Sequence, residues 1–148
     1  MEYRNAVGDL LGVEAAVVVE PPSDTHIAGF ETIGAMRLAL ASEDQASRYE
    51  TSAFLAAQVA LNRPDKEEWV GCTSDDPTDL SCIDGFIRRF GKRAFRRLVS
   101  DDEVAEISAL AVQAWQTIGS FDAAIEFAIA TILQFPDFLY IVEIGTPV

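Results

Sequence analysis

Between Cys82 and Leu98 the chain reads Cys-Ile-Asp-Gly-Phe-Ile-Arg-Arg-Phe-Gly-Lys-Arg-Ala-Phe-Arg-Arg-Leu. Ile83, Phe86, Ile87, Phe90, Ala94, Phe95 and Leu98 recur at intervals of three and four, which lines them along one face of a helix. Arg88, Arg89, Lys92, Arg93, Arg96 and Arg97 fill the other face. An amphipathic stretch divided in this way must be covered on its apolar side, so the rest of the chain is expected to be organised around it. Its polar side concentrates cations: these six stand among only 11 Lys and Arg in a protein of net charge -13.

That imbalance limits the partners. An acidic chain repels phosphates, so general nucleic-acid binding is not expected. The cationic face is the local exception. It either neutralises the surplus of Asp and Glu elsewhere or seats an anionic partner, and cations near a helix C-terminus also suit its dipole. With 148 residues, 49% of them hydrophobic and 24% charged, the chain has the makings of one globular domain. No apolar run approaches the roughly 18 to 20 residues of a membrane span, so no transmembrane segment is expected. The opening Met-Glu-Tyr-Arg-Asn has no charged-then-apolar-then-small pattern and reads as no signal peptide. The chain is then either cytoplasmic or an internal piece of a longer exported protein.

Other helices are legible from spacing and caps. Glu2 to Leu11 places Tyr3, Val7, Leu10 and Leu11 on one face, with Gly12 where a left-handed C-cap is expected. The valines at 17–19 suggest a short extended segment, halted by Pro21 and Pro22. Ser23 to Ala41 is irregular, with Phe30, Ile33 and Met36 as candidate anchors. Ser42 and Gln45 have capping-box spacing and open a helix to about Leu61. Tyr49, Ala53, Ala56, Ala57 and Ala60 give that helix a narrow, small-residue face. Asn62 to Ser81 reads as a polar loop, the one candidate domain boundary. Ser100 and Glu103 form a second capping box ahead of Val104, Ile107, Leu110, Ala111, Ala114, Trp115 and Ile118, with a stop at Gly119. Ser120 caps a last long helix carrying Ile125, Ala128, Ile129, Ile132 and Leu133, broken by Pro136, which can itself start a further turn holding Phe138, Leu139 and Ile141. The fold class is all-α: a bundle of four to five helices with an irregular N-terminal segment.

Chemistry is harder to find. Cys72 and Cys82 match no zinc or redox spacing, and the chain has a single histidine to complete any site. In an oxidising compartment they would pair; in a reducing one they would be two thiols. His26 sits among Ser23, Asp24 and Thr25 and reads as a turn residue. Asp75, Asp76 and Asp79 lack the EF-hand order and read as a solvated acidic loop. Trp69, Trp115 and Tyr140 read as packing residues. No nucleophile elbow, phosphate loop, zinc-protease motif or haem-attachment motif is present in the sequence. No catalytic residue, metal ligand or cofactor is assigned to this chain.

Several short motifs resemble known families. Tyr3-Arg4-Asn5, Val7 and Asp9-Leu10-Leu11-Gly12-Val13 resemble the opening of planctomycete-specific domain three, and Gly29-Phe30-Glu31-Thr32-Ile33-Gly34 is similar to a later motif of it. Cys72, Cys82, Phe86, Arg93-Ala94-Phe95-Arg96-Arg97, Glu103, Phe138-Leu139-Tyr140, Val142 and Glu143 resemble planctomycete-specific domain five. Leu98 departs from the proline usual after the paired arginines, so the turn before Ser100 is expected to differ. Those families have no established activity and lend no catalytic residues. They occur in large secreted proteins of planctomycetes and myxobacteria, often beside cytochrome c domains. The resemblance therefore implies a periplasmic or cell-surface setting, a Cys72–Cys82 disulfide, and a parent protein that continues into further domains, this chain being its amino-terminal third or less without its export signal. It also implies a division into residues 1–62 and 63–148, packed as one globular unit.

The expected function is that of a helical module with a structural or interaction role, docking neighbouring domains through an exposed face at Ala53, Ala56 and Ala57 or through the cationic face. One alternative makes it part of a haem-dependent redox enzyme or electron carrier whose catalytic domains lie elsewhere, with a cytochrome c domain as partner. Another gives the basic helix an anion or nucleic acid to bind.

Overall fold

A computed structural model describes residues 2–21 and 43–139. Among the described residues it is all-α, with helices α1 (Glu2–Leu11), α2 (Val13–Val18), α3 (Glu43–Leu61), α4 (Lys66–Val70), α5 (Ser81–Phe95), α6 (Asp101–Ile118) and α7 (Phe121–Gln134). A last helical turn covers residues 136–139. No helix among these residues is long and apolar enough to cross a membrane. The expectations for His26, Phe30, Ile33, Met36, the Gly29–Gly34 motif, the Ser42 cap, Tyr140, Ile141, Val142 and Glu143 lie outside the described residues.

Local chemistry sets the ends of α6 and α7. The Ser100 hydroxyl accepts from the Glu103 amide at 3.2 Å while the Ser100 amide donates to the Glu103 carboxylate at 2.9 Å, completing the capping box. Gly119, at φ 88, closes α6 in the left-handed region and donates its amide to the Trp115 carbonyl. Ser120 then caps α7 by accepting from the Ala123 amide at 3.2 Å. Pro136 forces Phe135 into an extended conformation, φ -64 and ψ 141, which ends α7. The turn beyond it buries Phe138 and Leu139.

The hub of the bundle is α7 rather than the cationic helix. Ala123, Ala124, Ile125, Ala128, Ile129, Ala130, Ile132 and Leu133 are all buried, so apolar residues occupy more than one side of it. Such a helix needs neighbours on several flanks. They are α3, α5 and α6. The small-residue face of α3 is what lets it approach. Ala53, Ala56 and Ala57 are fully buried, which removes them as the exposed docking face expected from the sequence. Gly91 of α5 lets the turn after that helix fold back onto it, because a Cβ there would lie 2.6 Å from Val99 Cγ2.

The N-terminal helices close the far side. Tyr3, Val7 and Leu11 of α1 join the same apolar cluster as Ile129 and Leu133. The Tyr3 hydroxyl donates to the Leu133 carbonyl at 3.3 Å, and its ring meets Tyr49 and Phe138 edge-on. Burial pushes the Tyr3 hydroxyl pKa above the ordinary tyrosine range.

Several local expectations need correction. Residues 13–18 are helical, not extended. Ala15 and Val19 are buried, and the Ala16 amide finds the Gly12 carbonyl at 3.2 Å, a helical partner that outweighs the β-propensity of the valines. The extended conformation is confined to Val19, the C-cap, whose carbonyl accepts from Arg4. Gly12 has φ 103 and ψ 164; it is a hinge between two helices rather than a left-handed cap. The loop after α3 contains a helix, α4, which buries Val70 and brings Trp69 against Phe86 and Phe90. Leu98 is 76% exposed because α5 ends at Phe95, three residues short of it. Leu110 and Ile118 also point outward from α6.

Candidate functional site

The cationic face of α5 is held in position from both ends. At its start, Cys72 and Cys82 form a disulfide with their Cα atoms 5.8 Å apart. The loop between them is built from side-chain turns. Asp76 accepts from the Thr78 amide at 2.9 Å and hydroxyl at 2.7 Å, and Asp79 accepts from the Ser81 amide at 3.1 Å and hydroxyl at 2.7 Å. Those bonds, the hydroxyl first, hold both carboxyls below the ordinary aspartate range. The acidic residues of this loop thus shape the chain. Among the described residues no group of three or more His, Cys, Asp and Glu side chains is arranged to hold a metal ion.

Arg89 reinforces the base of the loop by donating to the Val70 carbonyl. The chain can pass so close because residue 71 is glycine. Gly71 caps α4 in the left-handed region at φ 86, and a Cβ on it would meet Arg89 Nη2 at 2.8 Å.

At the other end Arg97 gathers two carboxylates. It donates to Glu103 at 2.7 and 3.0 Å, to Asp137, and to the Leu98 carbonyl at 2.8 Å. Its guanidinium carbon also lies 5.3 Å from the Phe95 ring centroid. This fork joins the end of α5, the first turn of α6 and the turn at 136–139. The Arg97 hydrogen bonds, more than those from Ser100, hold the Glu103 carboxyl at about 2, against an ordinary value of 4.5. A carboxyl depressed on folding stabilises fully above its unfolded pKa and loses that contribution as pH falls through the folded one. Glu103→Gln is therefore expected to unfold at lower urea than the native protein by a constant margin from pH 7 to 5. The margin should close as pH falls from 4.5 towards 2. Urea midpoints measured across that range check it; a margin unchanged at acid pH would mean that Arg97 does not hold the carboxylate.

The other cations differ. Arg88 reaches Asp101 at 2.7 Å, an exposed pair of small energetic weight. Arg93 makes one long contact, 3.4 Å, to the backbone carbonyl of Asp9. Lys92 and Arg96 make no hydrogen bond or ion pair among the described residues. Arg96 stands in the left-handed region at φ 56, the one non-glycine residue with positive φ among those described. Four of the six, Arg88, Arg89, Lys92 and Arg93, lie on α5, whereas Arg96 and Arg97 follow its last residue, and the six have different duties. Spacing revealed Glu103 as a cap but not as the partner of Arg97. Nothing local to Arg97 pointed to Asp137, which is 40 residues away.

Residues 1–62 match PSD3, a protein family of unknown function (DUF1587), and residues 82–143 match PSD5, another of unknown function (DUF1595). The chain joins a PSD3 region to a PSD5 region. No curated protein and no solved structure matches it. All of α5 from Cys82 onward, with Glu103 and Asp137, lies in the PSD5 region. Cys72 lies between the two matched stretches, so the disulfide fastens the connecting loop to the first turn of the PSD5 region. The PSD3 region supplies the Asp9 carbonyl that meets Arg93, and its Tyr3 reaches Leu133 of the PSD5 region.

Proposed function

We propose that this chain is a non-catalytic helical module of a longer exported protein, braced by its disulfide and serving to hold neighbouring domains. The observation that carries the reading is the Cys72–Cys82 disulfide. Disulfides persist in oxidising compartments and are rare where glutathione keeps thiols reduced, which favours the periplasm or cell surface. The charged network supports a structural duty, since Asp76, Asp79, Arg89, Arg97 and Glu103 all close turns or caps or join elements. The apolar cluster running from Tyr3 to Leu139 supports reading residues 1–62 and 63–148 as one folding unit.

The state of the cysteines in the cell tests this. Alkylating intact host cells with a membrane-permeant thiol reagent, then reducing and labelling a second time, should find Cys72 and Cys82 protected in the first step. Both cysteines alkylated at once, in denatured and rapidly quenched samples, would place the protein in a reducing compartment and overturn the proposal.

A further inference from the structure

We propose that Lys92, Arg93 and Arg96, with Leu98 beside them, form a docking face for an acidic segment of polypeptide that brings an apolar side chain to Leu98. This rests on the module reading and names the chemistry of one of its partners. The first observation is the distribution of charge. Of the six cations between Arg88 and Arg97, only Arg88 and Arg97 pair with carboxylates among the described residues. Arg89 and Arg93 donate to backbone carbonyls, neutral acceptors that leave their charge uncancelled. Lys92 and Arg96 have no partner among the described residues. Positions 89, 92 and 93 are neighbours on the helix surface, and Arg96 is its C-cap, one residue past Phe95. The helix C-terminus offers only about half a negative charge against them. A concentrated positive patch remains in a protein of net charge -13.

The second observation is that the turn beyond the helix is tied to other elements through Arg97 and presents an apolar side chain. Arg97 is fastened to Glu103 and Asp137 and to the carbonyl of Leu98 itself, so the backbone at 97–98 is clamped. Arg96 keeps its unusual left-handed conformation under that clamp. Leu98 is nevertheless left 76% exposed, although its neighbour Val99 is buried. A backbone tied down in this way, presenting an apolar side chain two residues beyond Arg96, is a pre-ordered contact, one that loses little conformational entropy on binding.

Charge complementarity decides the occupant. A polypeptide contacts a patch of about 800 Å² and senses charges within a Debye length of roughly 8 Å. It can therefore meet this face alone. An anionic membrane or a nucleic-acid duplex is extended, and would also meet the acidic remainder of the surface.

The test uses the full chain and a synthetic helical peptide carrying glutamates and leucines at helical spacing, read by fluorescence anisotropy. The native protein should bind, and binding should weaken as salt rises. Lys92→Glu with Arg96→Glu should reduce affinity by more than about tenfold, and Leu98→Ser alone by about tenfold. These side chains are exposed and the two cations make no hydrogen bond or ion pair among the described residues, so the variants should stay folded, with melting temperatures lowered by no more than the small loss from reversing charge at a helix C-terminus. Peptide binding that is absent, or unchanged in the charge-reversed variant, overturns the proposal. So does tighter binding to phosphatidylserine vesicles or to a DNA duplex than to the peptide. Paired cysteines with no peptide binding would sink this docking face alone; free thiols in the cell would sink the module reading on separate grounds.

Discussion

Phe95→Ala is expected to cost about 3–5 kcal/mol of stability. Phe95 is only 2% exposed and closes the apolar side of α5 at its last helical residue. Its ring lies 5.4 Å from that of Phe135, between α7 and the turn that follows. Above it sits the Arg97 guanidinium. Truncation would open a cavity beneath the fork that joins α5, α6 and the final turn, and the exposed end of that cavity would admit water under an ion pair. Urea unfolding measures the loss directly. Phe95→Leu, which keeps most of the volume, should lose clearly less. Equal, small losses from both would mean that this ring does not close the core.

The second large effect concerns the disulfide. Replacing Cys72 by serine and Cys82 by alanine together is expected to cost about 2–3 kcal/mol, from the entropy regained by the unfolded chain. The bridge spans ten positions, a short closure, so the estimate sits below that for a long loop. Thermal melts with and without dithiothreitol provide the check. The native protein should melt lower in reductant, at the temperature of the double variant, and the variant should be indifferent to it. The Arg89 bond to the Val70 carbonyl and the edge-on contacts of Trp69 with Phe86 and Phe90 do not depend on the disulfide. Residues 73–80 should therefore loosen while the helices persist. A native protein insensitive to reductant would contradict the expected contribution.

Periodicity made the apolar side of α5 and the narrow face of α3 legible, because both are local patterns. Ile83, Phe86, Ile87, Phe90, Ala94 and Phe95 are all buried, as are Ala53, Ala56, Ala57 and Ala60. What covers a face is not local, so a small-residue stripe fit for close packing was equally readable as an open docking surface. The same limit explains Leu98. Its spacing continued the helical pattern, but Arg96 turns left-handed where no glycine signals a stop. In α2 the β-branched run favoured an extended reading, whereas a helix buries Ala15 and gives the Ala16 amide the Gly12 carbonyl. The candidate site follows suit. The cations were visible as a block, whereas their division into clamps and unpaired charges depends on Asp101, Glu103, Asp137 and two distant carbonyls. The Arg97 fork could be guessed only at Glu103, through its capping role.

The bond from Tyr3 to the Leu133 carbonyl has a consequence for synthesis. Its two residues are 130 positions apart, so α1 leaves the ribosome long before the helix it must cover exists. At about 5–20 residues per second the wait is on the order of 7 to 26 seconds. During that interval Tyr3, Val7 and Leu11 have no native partner on α7, and the earlier helices are exposed to holding chaperones. A bundle built in this order cannot close its core until α7 has been made.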